Sequence, residues 1–198
     1  MNHQVLNFKH QIILLACIFA LSSCESIKDK ITVDIPFDSF SIQLDDIVVG
    51  EEGAQSAIVR LSGEAELNSF SATQVLSMDM LTGAPADLEK YRSKIEKVEV
   101  GSISITITST DANGTVVEDF LVKATGINGQ LSVDKFELGI AENPPANSKQ
   151  FAVQVLMKLL NNNNVTLDIS GKTDVASGEK LQVTIAVENG NFKAKALD

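Results

Sequence analysis

The side chains that most often carry catalysis or bind metals are scarce in this 198-residue chain, which has two histidines, two cysteines, one tyrosine and no tryptophan. His3, His10 and Cys17 all lie within the first 23 residues, a segment that we expect to be removed. The remaining chain has no histidine and one cysteine, Cys24. This composition excludes hydrolases that need a histidine base, zinc and haem sites that need imidazole, and an internal disulfide.

Carboxylates are the plentiful functional groups, since 26 acidic and 16 basic side chains give a formal net charge of −10. Two carboxylates can hydrolyse a glycosidic bond. The candidates are Asp45 with Asp46, predicted on a strand and so facing opposite sides, and Glu51 with Glu52 in a glycine-flanked loop. Sugar sites usually add flat aromatic platforms, for which this chain offers Tyr91 as its one tyrosine and no tryptophan. A carboxylate-dependent hydrolase is therefore the weakest hypothesis.

Two short motifs resemble functional sites only in part. Residues 177–180 match Ser-x-x-Lys, but that acyl-transfer chemistry needs the serine at a helix start, and a turn is predicted here. Residues 111–114 have the first residues of a calcium loop without its third oxygen ligand or closing glutamate. We therefore predict no catalytic, metal-binding or cofactor-binding residue and no enzyme activity.

The N-terminal segment carries a targeting pattern. Residues 1–10 are polar and include Lys9, and residues 12–21 are an unbroken apolar run. That run is too short for a bilayer crossing, which needs about 20 residues. A basic start followed by a short apolar run is typical of a secretory signal peptide. The run ends in Leu21-Ser22-Ser23-Cys24.

These four residues resemble the lipobox of bacterial lipoproteins. The resemblance implies that residues 1–23 are cleaved, that Cys24 is lipidated and that residues 24–30 form a short tether. Two or three acyl chains anchor a protein stably, so Cys24 is expected to be a membrane tether rather than a nucleophile. Glu25 differs from the aspartate that retains lipoproteins in the inner membrane. The predicted location is the outer membrane of the cell envelope, on either its periplasmic or its surface face.

Residues 31–198 are predicted to form a single β-rich domain, because no serine- or proline-rich linker divides them. Apolar and polar residues alternate with a period of two, which is typical of antiparallel sheets packed on one face. The clearest alternation occupies residues 40–45, 98–107, 165–170 and 181–187. Further strands are predicted at 31–35, 56–66, 115–125, 130–138 and 192–197. Residues 67–81 fit either a strand or a helix.

Three Asn-Gly pairs, beginning at Asn113, Asn128 and Asn189, predict hairpin turns, and Ser177-Gly178 is a fourth turn candidate.

Helices are predicted at 85–97 and 149–160, the second with Ser148 as N-cap and apolar almost all round, so that it should be buried between layers. Each helix is followed by two strands, which suggests a topological repeat. The predicted fold class is α+β: an antiparallel β-sandwich or strongly curved sheet with two helices.

The predicted role is that of a lipid-anchored, non-catalytic binding or structural protein that contacts another envelope protein through a sheet edge or loop. The main alternative is a carrier for a lipid or another small apolar molecule, with phenylalanine and methionine side chains lining its site. The net negative charge disfavours nucleic acid as a partner and disfavours a polybasic membrane-binding patch.

Overall fold

A computed structural model describes residues 31–50, 67–161 and 164–196. The strands of this part are β1 (Thr32–Gln43), β2 (Ile47–Val48), β3 (Asn68–Leu76), β4 (Leu81–Thr82), β5 (Ile95–Glu99), β6 (Ser102–Ser109), β7 (Val116–Ala124), β8 (Leu131–Glu137), β9 (Val165–Thr173) and β10 (Lys180–Lys195). The α-helices are α1 (Leu88–Tyr91) and α2 (Ser148–Leu160), with single turns of 3-10 helix at Met78–Met80 and Arg92–Lys94. The strand predicted at 56–66 lies outside the described residues.

The strands form two antiparallel sheets, which confirms the predicted β-rich α+β class. In sheet A, the 16-residue strand β10 lies at the centre. It pairs with β1 and β2 along one side and with β5 and β6 along the other. The short strand β4 pairs with the outer edge of β1. Sheet B has the order β3-β9-β7-β8. Every pairing in both sheets is antiparallel.

The larger hydrophobic cluster lies between the two sheets. Alternate side chains of sheet A, including Ile105 and Val183, pack with alternate side chains of sheet B, including Phe120 and Ile169. All four are at most 1% exposed. Burying side chains of this size contributes roughly 1.5–3 kcal/mol each. The alternation visible in the sequence therefore reflects the inner faces of a sandwich.

The predicted helix at 149–160 is confirmed as α2 and is apolar almost all round because it contacts two clusters. Phe151 and Val155 join the inter-sheet cluster. Leu156 and Leu160 join a second cluster, which includes residues of β1, β5, β10 and α1. The N-cap prediction is wrong, because Ser148 is the first helical residue and its buried hydroxyl has no hydrogen-bond partner within the described residues.

The helix predicted at 85–97 is much shorter than expected. Helical turns occupy only Leu88–Lys94, and the chain is extended from Ile95. The apolar spacing fits both structures, because Ile95 and Val98 are also buried in the extended form. Pairing with residues 191–194 of β10 satisfies the backbone of this segment in sheet A.

The turn predictions have mixed outcomes. Asn128-Gly129 lies in the connection of the predicted hairpin between β7 and β8, with Gly129 at φ +91°, and the hydrogen-bonded turn itself runs from Ala124 to Ile127. Asn113-Gly114 and Ser177-Gly178 lie in connections that cross from one sheet to the other rather than in hairpins, although Ser177-Gly178 does form the predicted turn. Asn189-Gly190 lies inside β10, so the hairpin predicted there is wrong. The first crossing runs from sheet A to sheet B and the second from sheet B to sheet A, so corresponding strands of the two suspected repeat units lie in different sheets.

Sheet A has a kink where β1, β10 and the connection between β5 and β6 lie side by side. Asp38 and Asn189 lie between the pairs Phe37–Gly190 and Ser39–Glu188, and Gly101 lies on the other side of Asn189. Asn189 has a left-handed φ of 52°. A Cβ on Gly101 would lie 2.3 Å from the Asn189 carbonyl oxygen.

The buried face of sheet A continues through this kink, although the alternation of buried residues shifts by one position in each strand. The rings of Phe37, Phe40 and Phe192, which come from both sides of the kink, have centroids 4.9–6.2 Å apart. Asp38 in β1 and Asn189 in β10 act as one extra residue in each strand. Because both strands gain a residue at the same position, the sheet bends while the β1–β10 pairing register stays the same.

Candidate functional site

The two ends of sheet A differ in chemistry. The described chain enters β1 at Thr32, which pairs with Lys195, the last residue of β10. We call residues 31–37, 87–99 and 191–196 the entry end. Cys24, the predicted lipidation site, lies outside the described residues, eight positions before Thr32 in the sequence. The structure therefore leaves lipidation untested but shows which end of the domain follows the predicted tether.

Half of the basic side chains of the described residues lie at the entry end. They are Lys90, Arg92, Lys94, Lys97, Lys193 and Lys195. Lys97 and Lys193 are partners across β5 and β10, and both contact Glu99, at 2.7 and 3.2 Å. The hydrogen bonds from Lys97 and then from Lys193 hold the pKa of Glu99 below its ordinary value. Lys195 contacts Glu96 at 3.3 Å.

Arg92, unlike these lysines, donates hydrogen bonds to the end of helix α2. Its Nε donates to the Leu160 carbonyl oxygen and its Nη2 to the Leu159 carbonyl oxygen, both at 3.3 Å. These carbonyls belong to the last turn of α2, where a cation opposes the negative end of the helix dipole. The guanidinium therefore ties the entry end to α2.

The opposite end of the sandwich, the loop end, consists of the two sheet-crossing connections, residues 110–115 and 174–179. Each connection supplies a carboxylate that accepts backbone hydrogen bonds from the other. Asp111 accepts from the Ala176 N–H, and Asp174 accepts from the N–H groups of Thr115 and Val116, all at 2.9 Å. Asp174 also accepts from the Thr115 hydroxyl at 2.5 Å. The two carboxylates form a reciprocal clamp.

The hydrogen bonds of the clamp lower the pKa of both of its carboxylates. The hydrogen bonds from Ala176 and then Asn113 lower the pKa of Asp111. Partial burial acts to raise the pKa of Asp174, but the hydrogen bonds from Thr115 and Val116 together outweigh it and lower that pKa. Both oxygens of Asp111 already accept hydrogen bonds from backbone N–H groups, so the aspartate of the partial calcium motif at 111–114 belongs to the clamp. The clamp joins residues about 60 positions apart, which no local sequence motif could indicate.

Of the four carboxylates singled out in the sequence, the structure describes Asp45 and Asp46. Asp45 and Asp46 lie in the connection between β1 and β2 rather than on a strand, so that prediction is wrong. Asp46 pairs with Lys180 at 3.2 Å, and the backbone of Asp45 exchanges two hydrogen bonds with the Gln74 side chain. Glu51 and Glu52 lie outside the described residues. Lys180 therefore serves an ion pair near the turn at 177–178.

The aromatic side chains that could line an internal ligand site are part of the packed core. Phe70, Phe120, Phe136 and Phe151 are 1–4% exposed within the inter-sheet cluster. A surface groove of about 630 Å³ is open to solvent and lies beside α1. Its lining includes Met78, Leu88 and Arg92, with Asp79 and Glu89 adding negative charge. A small ligand in this groove would meet mixed polar and apolar surface.

The outer edge of β1 carries features that oppose strand addition. Within the described residues, only Ser41 and Ile42 of this strand pair outward, with β4. Because the Ile31 carbonyl bonds to the Ala196 N–H, alternation turns the backbone of Pro36 outward. A proline has no N–H to donate there, and Asp34 and Asp38 add exposed charge on either side. Docking of a partner strand on this edge is therefore disfavoured.

No helix within residues 31–50, 67–161 and 164–196 combines the length and apolar character needed to cross a membrane. In that same part of the chain, no group of three or more His, Cys, Asp and Glu side chains is placed to hold a metal ion. No protein-family model matches the chain, and no curated protein has a significantly similar sequence.

Proposed function

We propose that this chain is a lipid-anchored cell-envelope protein whose β-sandwich domain has a non-catalytic binding or structural role, acting through contact with another envelope protein. The observation that carries the proposal is the sequence Leu21-Ser22-Ser23-Cys24, whose Leu21 is the last residue of a ten-residue apolar run. The short spacing to Thr32 supports a domain held close to a bilayer. A role without catalysis is supported by the use of Asp46, Asp111 and Asp174 in ion pairs and loop clamps.

The two cysteines offer a matched test of the anchor. When the full chain is expressed in a bacterium that processes lipoproteins, the N-terminal peptide of the mature protein should begin at Cys24 and carry its lipid mass. Cys24→Ser should abolish both processing and lipid mass, whereas Cys17→Ser should leave both unchanged. Unlipidated Cys24 in the wild-type protein would refute the anchor.

The same purified protein separates the proposed role from the carrier alternative. Native mass spectrometry should give the mass of the lipidated chain, and cross-linking in cells should join the domain to a discrete envelope protein. A constant additional adduct of lipid mass, retained in the Cys24→Ser variant, would instead favour a carrier. In that case the open groove lined by Met78 and Leu88 would be the first place to search.

A further inference from the structure

We infer that the entry end of sheet A faces the membrane and contacts anionic phospholipid headgroups, while the acidic loop end points away. This inference rests on the proposed lipid anchor and deepens it by assigning an orientation and a contact surface to the domain. The surface consists of the exposed lysines of β5, β10 and the helical turns before β5, next to the point where the predicted tether joins β1.

The geometry of the anchor brings this end within reach of the bilayer. Six residues separate Cys24 from Ile31, and an extended chain of this length spans at most roughly 25 Å. The sixteen residues of β10 run from the loop end to the entry end, a path of about 50 Å along the strand. An upright domain would thus keep its loop end well beyond the screening length of about 8 Å at physiological salt.

The charge distribution selects this upright orientation. The entry end carries six basic and five acidic side chains, whereas the rest of the described residues carry six basic and fourteen acidic. An anionic leaflet attracts nearby lysine and arginine side chains and repels carboxylates. A domain lying on its side or inverted would bring its strongly acidic part against the phosphates. The net charge of the whole chain hides this difference, because it averages the entry end with the more acidic remainder.

The lysines at the entry end are available for such contact. Lys97 and Lys193 keep 63% and 37% of their side-chain area exposed although both contact Glu99. Exposed ion pairs of this kind contribute little to stability, so the ammonium groups can exchange a carboxylate for a lipid phosphate at small cost. Ile31, 50% exposed, adds an apolar side chain at the junction with the tether.

Lysine labelling of the anchored full chain tests the inference. The lipidated protein is reconstituted into vesicles of phosphatidylcholine alone or of phosphatidylcholine with phosphatidylglycerol, and amine acetylation is measured by mass spectrometry. We expect acetylation of Lys94, Lys97, Lys193 and Lys195 to fall about fivefold in the anionic vesicles, the effect of one basic side chain beside an anionic surface. Lysines elsewhere, namely Lys135, Lys172 and Lys180, should react equally in both.

A charge-reversal pair sharpens the test. Lys97→Glu should reduce the protection of Lys193 and Lys195, whereas Lys172→Glu, which also alters an exposed ion pair, should leave it unchanged. Circular dichroism checks that both variants remain folded. If the lysines of the entry end were acetylated in anionic vesicles as strongly as Lys135, Lys172 and Lys180, while the protein still floated with the vesicles, the proposed orientation alone would be overturned. A protein that carries no lipid and does not float would overturn the anchor and the orientation together.

Discussion

Removing the Asp174 carboxylate should weaken the clamp that joins the two sheet-crossing connections. This side chain accepts two backbone hydrogen bonds at 2.9 Å and one from the Thr115 hydroxyl at 2.5 Å. Hydrogen bonds to a charged acceptor contribute about 1.5–3 kcal/mol each when buried, but Asp174 is only partly buried, so water replaces part of the loss. We expect Asp174→Ala to lower the free energy of unfolding by about 1–2 kcal/mol in total.

The assay is urea unfolding followed by far-ultraviolet circular dichroism, because the chain has no tryptophan to report on unfolding. Thermal unfolding should agree, with about 2–4 °C lost per kcal/mol for a domain of this size. Asp134→Ala, which removes an exposed carboxylate from β8, is the matched control and should change stability by less than about 0.5 kcal/mol.

The pH dependence isolates the contribution of charge. The folded-state pKa of Asp174 lies below its ordinary value of 3.8, so its stabilisation is present above pH 3.8 and is lost as pH falls through the folded-state pKa. Asp174→Asn keeps the shape and one acceptor oxygen without the charge. The difference between wild type and this variant should therefore be constant near neutral pH and shrink in acid. An equal difference at both ends of the range, or an unchanged urea midpoint for Asp174→Ala, would refute the clamp.

Two further substitutions test the kink and the tie to α2. Gly190→Ala should cost at least about 2 kcal/mol, because the new Cβ would lie 2.1 Å from the Phe37 ring and 2.4 Å from the Glu99 carbonyl oxygen. Gly178→Ala, at φ +92° with open space around it, should cost only about 1 kcal/mol, and equal losses in urea unfolding would contradict the steric explanation. Arg92→Ala should cost about 1 kcal/mol by the same measurement, with Arg92→Lys recovering part of it. Full stability in Arg92→Ala would show that the long hydrogen bonds to Leu159 and Leu160 contribute nothing.

The features predicted correctly from sequence are those set by local periodicity. The alternation at 165–170 and 181–187 identified strands of both sheets, and the almost wholly apolar run at 149–160 identified a buried helix. Asn128-Gly129 formed a hairpin because its flanking strands are neighbours in one sheet. These signals depend on residues within a few positions of one another.

The errors arise where distant residues decide between local alternatives. Ile95 and Val98 suit a helix by spacing, but β10, nearly a hundred residues later, pairs with them as a strand. Asn189-Gly190 has the composition of a hairpin turn, yet the strands on either side of β10 hold it inside the sheet. Clustering of the entry-end lysines likewise depends on residues 90–97 meeting residues 193–195. The signal available was their density, six basic residues in two short segments, but a whole-chain charge hides it.

The central position of β10 has a consequence for the order of assembly. β10 comes after the other described strands in the chain, yet it pairs with β1, β2, β5 and β6 and contributes to both hydrophobic clusters. Thr32 pairs with Lys195, more than 160 positions later in the chain, so sheet A cannot close before Lys195 is available. Non-local pairing of this kind delays closure of sheet A until β10 has been synthesised. A chain that has not yet released β10 from the ribosome or the export channel would lack the central strand of sheet A, so its domain would stay open and threadable until β10 emerged.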